Sequence, residues 1–210
     1  MTLTLAVIAK APAPGRSKTR LCPPLSLVQA ARLAEAALRD TLEAVAATPA
    51  ARKVLILDGT PGRWLPAGVE VIVQRGSGLD ERLANAFADV GRPAVIVGMD
   101  TPQVSTATLH AALSALESSG AVLGPAADGG YWAIGLREPD PRALLGVRMS
   151  SPHTLEDQRR RLRALGLGVA ELQTLRDVDT FADAVAVAAD APSTRFAAEL
   201  ERLDGARAVA

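Results

Sequence analysis

Hydrophobic positions in this chain fall into two alternating kinds of segment. Leu3–Ala9, Val54–Leu57, Val69–Val73, Ala94–Val97 and Ala121–Leu123 are short, rich in β-branched residues and bounded by Gly, Pro or Asp. Runs of that length and composition predict buried strands. Between and after them the apolar residues recur at helical spacing. Ser26–Ala47 opens on a serine with Gln29 three residues on, a capping-box pattern, and Leu27, Ala30, Ala31, Ala34, Leu38, Leu42 and Val45 fall near one face. Leu79–Val90, Thr106–Ser118, Pro152–Leu165, Phe181–Ala189 and Ser193–Leu203 predict further helices, with Arg159, Arg160, Arg161 and Arg163 on a solvated face of the fourth.

Strand–helix alternation implies right-handed crossovers and helices on both faces of a sheet. The expected fold class is therefore α/β, a three-layer α/β/α sandwich with a mainly parallel sheet. No repeat, low-complexity linker or change of composition divides the 210 residues, so 1–210 reads as one domain.

Composition narrows the range of functions. Lys and Arg together number 23 and Asp and Glu 23, which excludes nucleic acid or an anionic membrane held by bulk charge. The lone Cys22 makes no internal disulfide and, with the absence of a long apolar run, suits a reducing, cytoplasmic setting. The opening MTLTLAVIAKAP lacks the basic start of a signal peptide and is better read as a buried first strand. Only Lys10, Lys18 and Lys53 are lysines. Where arginine is the default cation, two lysines among the first 18 residues suggest a use for a compact ammonium, such as a phosphate oxygen in a tight loop.

In α/β sheets of this kind ligands bind beyond the carboxyl ends of the strands, so the loops after strands are the place to look. After the first strand comes Lys10-Ala-Pro-Ala-Pro-Gly-Arg-Ser-Lys-Thr-Arg-Leu. Pro12 and Pro14 stiffen it, Gly15 lets backbone approach a ligand, and Lys10, Arg16, Lys18 and Arg20 concentrate positive charge, as a pyrophosphate cradle requires. The spacing of a P-loop is absent. At the end of the fourth strand stands Val97-Gly-Met-Asp-Thr-Pro102, where Asp100 suits a hard cation or, alternatively, caps the next helix.

A third block, Gly124-Pro-Ala-Ala-Asp-Gly-Gly-Tyr-Trp132, offers Asp128 as a base, Gly129 and Gly130 for close backbone approach, and Tyr131 and Trp132 as a platform for sugar or base. Its other reading is an ordinary Asp-Gly hairpin. A fourth, Arg176-Asp-Val-Asp-Thr180, places Asp177 and Asp179 on one side of an extended segment, where either reaches a metal or caps the following helix. Arg75 and His153 are weaker candidates, for nucleotide and substrate respectively. His110 reads as structural. Zinc clusters and hydrolase elbows have no support.

These motifs, in this order, resemble the nucleotide-diphospho-sugar transferase superfamily with its Rossmann-like GT-A fold. The likeness is greatest to the rSAM/selenodomain-associated transferase group, which shows K-x-P-x-P-G-x-x-K-T-R-L (here Lys10–Leu21), G-x-D-x-P (Gly98–Pro102), G-P-A-x-D-G-G-Y (Gly124–Tyr131) and D-V-D-T (Asp177–Thr180). It covers the chain to about Ala189. The same landmarks are similar to those of 2-phospho-L-lactate and molybdopterin guanylyltransferases. The resemblance implies that Lys18 and Arg20 contact phosphate and that Asp100, with Asp179, holds Mg2+ or Mn2+. One departure stands out: the D-x-D of glycosyltransferases is reduced to Gly98-Met99-Asp100, so a second metal ligand has to come from elsewhere.

Two reactions fit. In glycosyl transfer a sugar passes from a nucleotide sugar to a small acceptor, with Asp128 as base and Lys18 stabilising the leaving diphosphate. In nucleotidyl transfer a nucleoside triphosphate joins to a phosphorylated or phosphonate substrate. The block around Asp128 puts the first ahead. A nucleotide-binding protein without catalysis is the third reading, and a homodimer is compatible with all three. Both enzymatic readings require Lys18 and Asp100 to face one cleft.

Overall fold

The structure, a computed structural model, describes residues 3–91 and 93–208. Strand and helix alternate as expected: β1 (Thr4–Lys10), α1 (Leu27–Ala47), β2 (Arg52–Asp58), β3 (Glu70–Val73), α2 (Leu79–Val90), β4 (Ala94–Gly98), α3 (Thr106–Ser118), β5 (Ala121–Pro125), β6 (Tyr131–Leu136), α4 (Thr154–Ala164), β7 (Val169–Glu171), α5 (Phe181–Asp190) and α6 (Arg195–Ala208). The seven strands form one sheet in the order β3-β2-β1-β4-β6-β5-β7. All neighbours run parallel except β6, which is antiparallel to both β4 and β5. The α/β class and mainly parallel sheet are thus as the sequence predicts.

Two strands were not anticipated. β6 reads in sequence as the tail of the aromatic block, and β7 is only three residues long. β6 forms a hairpin with β5, closed where Ala126 N–H donates to Gly130 O at 3.0 Å. The Asp-Gly hairpin reading is therefore correct locally, and it brings the turn to the cleft end of the sheet.

Alternating side chains along the strands feed two cores. On one face Leu5, Val7, Leu55, Val95 and Val97 pack with Leu38, Leu42, Leu109 and Leu116 of α1 and α3. On the other, Ala6, Ile56, Ile96 and Ile134 meet Leu83, Phe87 and Leu162 of α2 and α4. α1 forms because its predicted cap works: Ser26 accepts from Gln29 N–H, and the Gln29 side chain accepts from Ser26 N–H.

A third core lies outside the sheet. Leu33, Ala37, Phe196, Leu200 and Leu203 join α1 to α6, and Leu21, Leu25 and Val178 pack into the same cluster. The Asp40 carboxylate on α1 accepts from Arg195 N–H and Phe196 N–H, capping α6, and burial pushes its acid up from the usual carboxylate range despite those bonds. The C-terminal helices therefore brace both the loop after β1 and the segment before α5. Among the described residues no helix is long and apolar enough to cross a membrane.

Replacing Phe196, which is 1% exposed, with alanine is expected to cost about 3 to 5 kcal/mol, as large-to-small changes in a closed core do. A urea midpoint unchanged from the parent protein would show that α6 contributes nothing to the fold.

Candidate functional site

The loop after β1 is built as a tight turn. Arg16 and Ser17 N–H both donate to Ala13 O at 3.1 Å, and the Ser17 hydroxyl accepts from Ala13 N–H at 3.2 Å. Lys18 then adopts a left-handed backbone, φ 51 and ψ 38, before a short 3-10 turn at Thr19–Leu21. Leu21 is fully buried in the third core. A non-glycine residue in that conformation is costly, and here it turns the Lys18 side chain inward.

The acidic segments arrive from the other half of the sheet. Residues after β7 run beside the end of β5, with Leu175 N–H donating to Pro125 O and Ala127 N–H to Leu175 O. Val178 N–H then donates to Asp100 O at 2.9 Å, and Gln103 reaches Arg176 O at 2.6 Å. The cap question resolves in both places. Thr180 caps α5 in a box with Asp183, and Ser105 caps α3, so neither Asp179 nor Asp100 is spent on a helix end.

The two halves meet at Lys18. Its Nζ lies 2.8 Å from Asp100 Oδ1 and 3.3 Å from Asp179 Oδ1, and it also donates to Val178 O. Arg20 makes a second contact with Asp179, at 3.3 Å. Burial opposes the Lys18 charge, yet the two carboxylates more than offset it and hold the ammonium above the ordinary lysine value. Asp177 stands beside this nest. Burial first, and the nearby Asp128 second, push its acid up to about 6. Oxygen atoms of Asp128, Asp177 and Asp179 lie within 4.8 Å of one another.

All of this lines a cleft of about 660 Å3 at the carboxyl ends of the strands, within the size range of small-molecule sites. Lys10, Arg16, Lys18, Arg20, Asp100, Asp128, Gly130, Tyr131 and Asp179 border it. A smaller hollow, about 280 Å3, opens beside Leu3 and His110 and includes none of the motif residues.

Other expected residues lie elsewhere. Arg75 is committed to Asp89 through two bonds, at 3.1 and 2.5 Å, and is not part of the cleft wall. Arg82, one helical step into α2, is in its place. His153 is exposed at the start of α4, outside the wall, although its neighbours Pro152 and Thr154 belong to it. Pro14 and Gly15 shape the turn without bordering the cleft. Trp132 does border the cleft, but it is 3% exposed, donates its indole N–H to Gln173 O at 3.0 Å and packs against Gly124, where an added Cβ would sit 2.5 Å from the ring. It offers no open stacking face, which corrects the platform expectation. Tyr131 is half-buried and bonds towards Gln158 and Met149, at 3.3 and 3.5 Å.

Gly129 does need to be glycine: at φ +89 its missing Cβ would lie 2.2 Å from Pro152 O. The hairpin and the segment before α4 are thereby locked together, aided by Leu155 N–H donating to Gly129 O at 2.9 Å.

Sequence reasoning missed Gln74 and left Arg82 and Asp177 as secondary candidates. Gln74 lines the cleft and ties β1 to β2 by donating to Ala9 O at 2.6 Å and Ile56 O at 3.0 Å. Arg82 contacts Asp58, at 3.6 Å, as does Arg16 at 3.8 Å. Asp177 was weighed only as an alternative to Asp179. Gln74 and Arg82 follow an edge strand whose loop looked ordinary, and no local pattern sets them apart.

The donor set suits a hard divalent cation: carboxylate oxygens within one ion's reach, and a buried ammonium already bridging Asp100 and Asp179. Asp100 is not one of the three acidic residues of that group and meets Asp179 through the Lys18 ammonium.

Residues 31–151 match a family described as "Uncharacterized protein conserved in bacteria (DUF2064)". No curated protein matches the chain. Among solved structures, a Desulfovibrio desulfuricans G20 protein assigned as a nucleotide-diphospho-sugar transferase is 27% identical, with 97% of this chain and 95% of that one covered and a TM-score of 0.85. CMP:2-keto-3-deoxy-manno-octonic acid synthetase complexed with CTP is 13% identical, covering 90% and 98%, at a TM-score of 0.58. Rv0371c of Mycobacterium tuberculosis H37Rv, in complex with manganese, is 21% identical, covering 89% and 98%, at 0.54. The fold that the sequence motifs lead one to expect is the fold these proteins share.

A group whose pKa is raised in the folded state favours the fold at low pH, and that contribution is lost as pH rises through the folded value. Asp177→Asn is therefore expected to flatten the part of the stability profile that falls between about pH 4 and pH 6, read from thermal melts across that range. An identical slope in the variant would remove Asp177 from the buried cluster.

Proposed function

The chain belongs to the DUF2064 family, and from that starting point we propose that it is a metal-dependent transferase acting on a nucleotide, with glycosyl transfer from a nucleotide sugar to a small acceptor as its reaction. One observation carries the reading. Lys18 and Asp100, 82 positions apart in the chain, meet at 2.8 Å inside the cleft of about 660 Å3, where Asp179 joins them.

In this reading Lys10, Arg16, Lys18 and Arg20 take the diphosphate of the donor. Lys18 exchanges a carboxylate partner for a phosphate oxygen, and its raised pKa keeps it cationic in the resting site. Asp100 and Asp179 hold Mg2+ or Mn2+, with Asp128 and Asp177 close by. The ion, when bound, would neutralise charge that develops on the leaving diphosphate. The acceptor hydroxyl oxygen bonds to the anomeric carbon, and the bond from that carbon to the phosphate oxygen breaks. Its electron pair departs with the nucleoside diphosphate. The hydroxyl proton passes to Asp128, whose side chain is exposed at the hairpin turn and accepts from Gly130 N–H at 2.7 Å.

Nucleotidyl transfer is the second reading, favoured by the density of cations in the loop after β1, which suits a triphosphate. A thermal-shift screen of nucleoside triphosphates against nucleotide sugars, with and without Mg2+ or Mn2+, separates the two. Larger shifts with nucleotide sugars are expected, because a ligand raises the melting point only by binding the folded state. Larger shifts with triphosphates would reverse the order.

Three substitutions test the site itself. Arg20→Ala and Lys18→Ala are each expected to weaken nucleotide binding by about 1.5 to 3 kcal/mol per lost charge-assisted bond. Arg20 is 77% exposed, so its replacement leaves the fold intact and makes calorimetry decisive; undiminished affinity in both variants would refute the cradle. Asp100→Asn is expected to lower metal-dependent activity far more than the melting temperature, and normal turnover with a large loss of stability would instead make Asp100 a structural residue.

A further inference from the structure

The cleft sorts its charges by strand. Among the described residues that border it, every cation comes from the β1 loop or from α2: Lys10, Arg16, Lys18, Arg20 and Arg82. Every carboxylate comes from the other half of the sheet, Asp100 after β4, Asp128 in the β5–β6 turn, and Asp177 and Asp179 after β7. The sheet order fixes this division, since β1 and β5 are three strand spacings apart, roughly 14 Å. Lys18 and Arg20 sit on the seam, already engaged with Asp179.

The half beyond the seam holds the space for a second substrate. Its remaining wall includes Gly130, Tyr131, Met149, Ser150, Ser151 and Pro152. The basic residues nearest in sequence are used up elsewhere: Arg148 pairs with Asp157 at 3.0 Å and Arg176 with Asp183 at 3.1 Å, and neither borders the cleft. Once Lys18 and Arg20 have turned to the diphosphate, a divalent ion would cancel only two of the four charges of Asp100, Asp128, Asp177 and Asp179. A phosphate group placed there would meet residual negative charge and no cation, and an unpaired anion in a partly dry cleft is costly.

We infer that the acceptor is an uncharged or cationic molecule presenting a hydroxyl or amine, and that phosphorylated acceptors are excluded by charge. This rests on the reading of the cationic half as the nucleotide's diphosphate site. The serine hydroxyls and the Tyr131 and Met149 surfaces suit a small polyol or sugar with one apolar face.

The test holds the protein saturated with Mg2+ and a nucleoside diphosphate, which occupies the cationic half. Saturation-transfer NMR then compares glycerol with glycerol 3-phosphate and glucose with glucose 6-phosphate. The neutral member of a pair is expected to bind at least tenfold more tightly. Pro152→Lys, at an exposed position on the wall, is expected to narrow that ratio about tenfold by supplying the missing cation. Equal or tighter binding of the phosphate ester to the parent protein would overturn the inference. So would binding of neither member, or a ratio that Pro152→Lys does not move. Failure of every nucleoside diphosphate to bind would strike the diphosphate site first, and the inference would fall with it.

Discussion

A single ammonium group holds the two halves of the cleft together. Lys18 is reached only through a left-handed backbone turn, and its charge survives burial only because Asp100 and Asp179 lie against it. A buried ion pair of this kind is a poor source of stability, since removing charges from water offsets most of what their attraction returns. Its value lies in register. The loop after β1, the end of β4 and the segment before α5 have no strand pairing with one another, and this contact with its neighbouring Val178–Asp100 backbone bond aligns them.

The alignment depends on packing some distance away. Leu21 follows Lys18 by three residues and Val178 precedes Asp179 by one, and both are buried in the core that α1 shares with α5 and α6. Polar residues that face the cleft are thus carried on short segments whose next apolar neighbours are anchored under the C-terminal helices. That accounts for a large helical appendage on a sheet that already has helices on both faces.

Much of this was legible in the sequence because strand ends and apolar periodicity are local signals. The helices from Leu79 and Thr106 have the predicted limits, and the Ser26 box caps α1 as read. The motif loops were correctly sought after strands. Other features were not local. Trp132 looks like a platform beside Asp-Gly-Gly, but only tertiary structure shows Gly124 receiving its ring. Nothing local separates Arg75 from Arg82, and only the structure shows Arg75 paired with Asp89 away from the cleft and Arg82, near Asp58, on its wall. Asp177 owes its raised pKa first to burial and then to Asp128, nearly fifty positions earlier in the chain.

The outermost strands of the sheet are also its shortest: four residues in β3 and three in β7, against seven in β1 and in β2. Free backbone groups at a sheet margin are what foreign strands seize upon during aggregation, and stubby margins give such recruits almost nothing to grip. Two copies of this protein therefore have little prospect of fusing their sheets end to end.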